Sequence, residues 1–391
     1  MAFHSLGRFA ADRIRPGSAA EHSGQSGRPG GPSFRSPGVA SAGLRERRFC
    51  TGAFAGRGSA GRGHGHLARP RPDDRSGTGR APPGETLGSG CDALCGTQHG
   101  FPSRRRVHSG SCQSDARDAH QLVFVTSTDA DGAMTHPRNL IVVEDGARLS
   151  LVESYVGLGE SAASFTNAVT EVTLGKQSWL EHTRIQRESE SAYHIGFSHV
   201  HQARESHYRS FTLSMGGRVS RHNLHTRLDA PNTEALLYGL SIGRGEQLVD
   251  NHTTIYHDQP NCRSWEVYKA ILDGHSRGVF NGKVFVTPEA QQTDAKQTNR
   301  TLLLSDTARV DTKPQLEIFA DDVKCTHGAT VGYLDDLPLF YLRSRGVDPE
   351  RAKRILTYAF AAEVMNEVAV EPVRRELDQV VRTRLGIADG V

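Results

Sequence analysis

From His120 onward, apolar and polar residues alternate with the two-residue period of half-buried strands. Leu122-Val123-Phe124-Val125 is a short buried run, and Asn139-Leu140-Ile141-Val142-Val143-Glu144 is a second. Asp145-Gly146 marks a turn, after which Arg148-Leu149-Ser150-Leu151-Val152-Glu153 alternates again. Ala168 to Leu174 repeats the pattern before Gly175-Lys176, and Ser178 to Ile185 follows. Arg209 to Met215 and Arg218 to His225 flank Gly216-Gly217. No convincing helix of ten or more residues lies between His120 and Gly332.

Turn, basic residue and strand recur loosely at Asp145, Gly216 and Asp306. The gaps are unequal, so no strict repeat is read, although a stack of strand-turn rungs fits. A sandwich, a large barrel and a parallel β-helix remain open on pattern alone. The scarcity of hairpin dipeptides favours a solenoid, and Asn281-Gly282 is the one good hairpin candidate. After Gly332 the period becomes helical. Leu337 to Arg345 stops at Gly346, and Asp348-Pro349-Glu350 caps and starts a second helix. Ala352, Ile355, Leu356, Ala359, Phe360 and Val364 form its apolar stripe. Pro372 opens a third helix, with Val373, Leu377, Val380, Val381 and Leu385 on one face.

Composition separates this body from what precedes it. Residues 1–120 hold 18 Arg, no Lys and 9 acidic residues, with 22 of the 41 Gly and neither Trp nor Tyr. Leu, Ile, Val and Phe number 14 there, too few to offset the ordering entropy of a packed core. The expected organisation is therefore a disordered Gly/Arg/Ser/Pro-rich segment over 1–119, a β core over 120–333 and a helical segment over 334–391. A second reading of 1–119 is a wrong start or a shifted frame, because Arg without Lys beside dense Gly, Ala and Pro is what GC-rich DNA gives. No apolar run is long enough for a transmembrane helix, and the first residues lack the apolar stretch of a secretory signal. Six Cys in 391 residues are no disulfide framework, which suits a reducing cytosol and a cytoplasmic protein.

Candidate chemistry concentrates late in the chain. Walker, dinucleotide and nucleophile-elbow motifs are absent, so any ATP hydrolysis belongs to another chain. Two stretches are specific: Asp250-Asn-His-Thr-Thr-Ile-Tyr-His-Asp258 with Gly278–Val286 and Ala290–Ser305, and Thr312 to Gly332. Within the latter, Asp321-Asp322-Val323-Lys324-Cys325-Thr326-His327-Gly328-Ala329-Thr330 stands out. Over about 122–369 these segments resemble the SufB/SufD family of the Suf iron–sulfur cluster assembly system, and its SufD-type subunits in particular.

That resemblance implies a right-handed parallel β-helix core that pairs with a SufB-like paralogue. It implies C-terminal helices that bind a SufC-like ABC ATPase, with Phe340, Ile355, Leu356 and Phe360 as the expected partner contacts. It implies that Cys325 and His327 face the assembly interface, where they hold iron or a transient cluster shared with the partner. The family's helical N-terminal region has no counterpart in 1–119. The expected role is a non-catalytic scaffold subunit, with no nucleic-acid or membrane partner.

The residues themselves agree with the chemistry. Thiolate and imidazole suit iron, and positions i and i+2 of a strand share a side. Lys324 is expected to lower the thiol pKa. Two ligands do not complete a four-coordinate site, so a partner must add the rest. The alternatives are a carbohydrate-active β-helix enzyme and a stand-alone histidine-rich metal binder. Asp321 and Asp322 are adjacent, point to opposite faces and make a poor acid/base pair, better suited to a turn. His199-x-His201 and His222-x-x-His225 lack further ligands at metal spacing. Cys262 is expected to pack as a small apolar group.

Overall fold

The structure is a computed structural model that describes residues 104–109, 119–126, 132–158 and 163–387. Seventeen strands and three helices follow in chain order among these residues. One sheet takes β1 (Arg104–Ser109), β3 (Ala133–Thr135), β4 (Arg138–Val143), β6 (Ser164–Leu174), β8 (Tyr193–Gln202), β10 (Val219–Leu228), β12 (Leu248–His257), β14 (Arg277–Val286) and β16 (Arg309–Ile318). The other takes β2 (His120–Thr126), β5 (Arg148–Gly157), β7 (Trp179–Arg187), β9 (His207–Ser214), β11 (Glu234–Gly243), β13 (Arg263–Leu272), β15 (Thr293–Leu303) and β17 (Val323–Gly332). From β4 on, successive strands switch sheets and pair in parallel with the strand two places away. This is a parallel β-solenoid. Helices α1 (Asp336–Ser344), α2 (Pro349–Met365) and α3 (Glu371–Arg384) follow it.

Disorder over 1–119 falls outside the described residues, save at Ala119 and at 104–109, where β1 pairs with β4. The weak spacing of turn motifs conceals a rung of about thirty residues: Val219 lies on Leu248, Leu248 on Arg277 and Arg277 on Arg309. The clearest mark of the repeat is a corner rather than a strand. Gly146, Gln177, Glu205, Asn232, Asn261 and Gln292 all have positive φ and stack on one another. Each donates its backbone N–H to the rung above, from Gly146 to Lys176 O (2.7 Å) through to Gln292 to Asp322 O (2.6 Å). A non-glycine residue in this conformation costs roughly 1–2 kcal/mol, which a repaired backbone bond and the continued stacking offset. Asp322 therefore closes a turn, as its sequence suggested.

Asn281-Gly282 is not a hairpin. Both residues lie inside β14, which pairs in parallel on both sides. Gly282 is needed in mid-strand because a Cβ there would collide with the Gln297 amide and the Phe280 ring.

Two cores hold the fold. Inside the solenoid, Leu149, Leu180 and Tyr208 stack in one column, and Leu224, Leu237, Ile255 and Val284 pack against them or each other. Outside the second sheet, Phe211, Leu213, Leu240 and Ile271 meet Ala361, Val364, Val373, Leu377 and Val381 of α2 and α3. Each fully buried aliphatic side chain contributes about 1.5–3 kcal/mol. Polar clamps set the helices: Lys269 Nζ donates to Phe360 O at 2.9 Å and pairs with Glu363, and Arg209 pairs with Glu367 at 2.7 Å. Arg384 reaches Met215 O at 3.0 Å. α2 begins at Asp348, whose carboxylate accepts from Glu350 N and Arg351 N.

The early rungs bury charge as well. Burial opposes ionisation of Glu153, but hydrogen bonds from His182 and Tyr155 and the charges of His182 and Arg184 hold it down at about 2. His194 and Glu188 pair at 2.6 Å, and Arg184 contacts His194. Burial lowers His194, pushes His222 well down, and holds His199 and His257 at about 3. For His257 the folded value lies below the unfolded 6.5, so its stabilisation is complete above pH 6.5. It is lost as pH falls toward about 3, and the ionised Glu153 extends the loss toward about 2. The melting temperature should therefore drop steadily on acidification below pH 6.5. His257→Gln should flatten part of that slope in a calorimetric pH series; an unchanged slope would contradict the assignment.

Candidate functional site

β16 and β17 end the two sheets, so together they form the terminal rung. Inside the solenoid every other residue of a strand faces the lumen, and paired residues keep the same facing from rung to rung. β15 sets that facing for β17: Thr293, Ala295, Gln297, Asn299 and Thr301 are buried in alternation. Their partners are Val323, Cys325, His327, Ala329 and Val331. Cys325 and His327 thus share the lumen side of an extended strand that no further rung covers among the described residues.

Depth differs between the two. Cys325 is half-buried and packs with Val323 on the inner core. His327 is exposed and makes no hydrogen bond to the described residues. Burial pushes the Cys325 thiol up; a backbone hydrogen bond with Ala295 opposes this and the Asp294 charge adds to it. The expected lowering by Lys324 does not occur. Lys324 is on the opposite side of the strand, beside Asp294 in register. The same burial that raises the thiol packs it among apolar side chains, which favours the protonated form over the thiolate.

The rim of this rung is apolar and its edge is open. Ile318, Phe319, Val331 and Tyr333 are exposed, Phe319 and Tyr333 each by 59%. β17 pairs only with β15, so one side of its backbone offers unpaired N–H and C=O groups among the described residues. Such an edge is a template for adding a strand.

The remaining candidates fall elsewhere. His199 and His201 meet edge-to-face on the outer face with centroids 4.4 Å apart, and His201 pairs with Asp229 at 2.7 Å. His222 faces inward and contacts Ser198 Oγ at 3.0 Å, whereas His225 sits on the outer face beside Phe197. His252 pairs with Asp250 outside, and His257 meets Ser264 inside. Cys262 is buried at a corner against Thr233, with its thiol raised by burial. Among the described residues no group of three or more His, Cys, Asp or Glu side chains has metal-holding geometry. Cys50, Cys91, Cys95 and Cys112 lie outside the described residues.

The four helix positions divide in the same way. Phe340 is 67% exposed beside Leu337 and Tyr341, and α1 buries none of its residues. Ile355 and Leu356 are half-buried. Phe360 packs against the solenoid's own outer core, with Lys269 Nζ 4.3 Å from its ring centre. Reading the sequence missed Glu266 and Gln297, polar residues in the lumen directly beneath His327 in register. Their signal was parity: both occupy the alternate positions that their strands otherwise fill with Ser264, Tyr268, Ala295 and Asn299.

No helix among the described residues is long and apolar enough to cross a membrane. The family described as SUF system FeS cluster assembly, SufBD core domain, matches residues 124–360. The chain is 37% identical over 270 residues to an iron-sulfur cluster assembly SufBD family protein of Synechocystis, covering 67% of this chain and 60% of that one. It is 40% identical over 243 residues to the chloroplastic protein ABCI7 of Arabidopsis thaliana, covering 62% and 51%. With SufD of Escherichia coli the identity is 37% over 252 residues, covering 64% and 58%. The chain thus spans about half to three-fifths of the length of these relatives. A solenoid whose matched region runs from its second strand through its terminal rung, with these relatives, gives one conclusion: the chain belongs to the SufBD family of SUF-system iron–sulfur cluster assembly proteins.

Proposed function

We propose that the chain is the SufD-type, non-catalytic subunit of a cytoplasmic cluster-assembly scaffold. Its terminal rung docks a SufB-like paralogue, and its C-terminal helices recruit a SufC-like ABC ATPase. Cys325 and His327 supply two ligands to an iron or nascent cluster whose other ligands come from the paralogue, and the cluster is cargo that leaves. The observation that carries this reading is the juxtaposition of Cys325 and His327 on an uncovered edge strand rimmed by Phe319, Val331 and Tyr333. A ligand pair at an open edge is incomplete alone and complete when a second strand arrives.

Recruitment of the ATPase draws on α1. Leu337, Phe340 and Tyr341 are 72%, 67% and 58% exposed, an apolar face that the solenoid does not use. α2 and α3 are mainly committed to the solenoid's own outer core, so Phe360 supports the scaffold, while Ile355 and Leu356 stay half-buried.

Replacing His327 by Ala should leave the purified assembly intact by mass and lower the yield of reconstituted cluster by about tenfold or more. Loss of association would make His327 a docking residue, and an undiminished yield would remove it from the site. Phe340→Ser together with Leu337→Ser should weaken capture of the ATPase by about 2 kcal/mol, roughly thirty-fold, measured by calorimetric titration. The melting temperature should not change, because neither side chain is buried. Unaltered capture would move the ATPase site elsewhere.

A further inference from the structure

We infer that Gln297, held in place by Glu266, is the positioning residue that fixes the direction and tautomer of the His327 imidazole at the open end of the solenoid. The inference rests on the proposed role of His327 as an iron ligand.

Glu266, Gln297 and His327 occupy equivalent positions of β13, β15 and β17, one above another on the lumen side. Glu266 and Gln297 are 1% and 2% exposed. Gln297 Nε2 donates to Glu266 Oε2 at 2.7 Å. That bond turns the amide nitrogen down into the lumen and commits one end of the side chain. The other end, Oε1, is buried and has no hydrogen-bond partner among the described residues. A buried carbonyl oxygen demands a donor. The next rung in register brings His327, whose imidazole makes no hydrogen bond to the described residues and carries an N–H that this oxygen could accept once the ring turns toward it.

The seat of the amide is built from across the lumen as well. Gly282 of β14 faces it, and a side chain there would displace Gln297 and the Phe280 ring. Burial pushes Glu266 up to about 7, opposed by the hydrogen bond from the Gln297 amide. Its carboxyl oxygen accepts from the Gln297 amide whether the group is neutral or ionised, so the lock persists around neutral pH.

The consequence for ligation is direct. Once Gln297 Oε1 accepts one ring N–H, the lone pair on the other nitrogen is the only one left to bind metal, and the ring plane is set by the amide beneath it. An amide oxygen does this without adding a charge under the iron. Glu266 acts one rung further back and touches neither iron nor imidazole.

The test uses the full assembly, with ferrous iron as the probe. Gln297→Leu should weaken ferrous binding by about tenfold while the mass of the assembly stays the same. Gly282→Ala, which evicts the amide without altering it, should have the same effect. A second readout needs no variant: the ring 15N shifts of His327 in the unaltered assembly should report one fixed tautomer. Averaged shifts, or full ferrous affinity in Gln297→Leu when His327→Ala has lost it, would overturn the positioning role and leave the iron site standing. Undiminished ferrous affinity in His327→Ala would overturn both.

Discussion

Parallel register governs this molecule more than any single contact. From β6 to β15 each strand bonds to the strands two places before and after it, so an inward side chain rests on an inward side chain about thirty residues away. A slip of one residue anywhere would turn a whole strand's apolar set to the outside. The ladder of left-handed corner residues guards against that slip, because each corner's backbone N–H has its acceptor only in the corner above. The placement of Cys325 and His327 at the lumen mouth is the last consequence of a register set near Gly146.

The strands themselves were largely readable, because period-two alternation is imposed by burial and needs no distant information. The helices were readable for the same reason, with Asp348 and Pro349 marking a boundary that the structure keeps. What the pattern hid was stacking. Asn281-Gly282 looks like a turn in one dimension; only the Gln297 amide, brought in from the neighbouring strand, explains a glycine in mid-strand. The repeat was hidden because its corners tolerate Gln, Glu and Asn as well as Gly, so conformation repeats where residue type does not. The terminal block was legible through its likeness to a known family. The acid and amide beneath it were not, since Glu266 and Gln297 read as ordinary polar strand residues until the register put them in one column. Lys324 misled for a related reason: proximity along the chain is not proximity across a pleated strand.

The lumen also shows how differently the same residue types behave when closed in and when left at an end. In the early rungs, Glu153 is surrounded by His182, Tyr155 and Thr170, and Glu188 by His194, Thr166 and Gln186. Those carboxylates are fully engaged, and their histidines serve packing and charge balance. At the terminal rung the imidazole of His327 has no such company among the described residues. The terminal rung differs because, among the described residues, no further strand lies beyond it to engage the groups it presents.

The helical pair changes the mechanics of a stack whose units otherwise touch only their neighbours. Arg209 on β9 and Lys269 on β13 both reach α2 or the residues just after it, while Arg384 of α3 returns to Met215 beyond β9. These ties splint the middle rungs into one cooperative block, whereas a bare solenoid melts as a nearly additive chain of units. The terminal rung lies outside these ties, so among the described residues it is held by its pairing with β14 and β15 rather than by the helices.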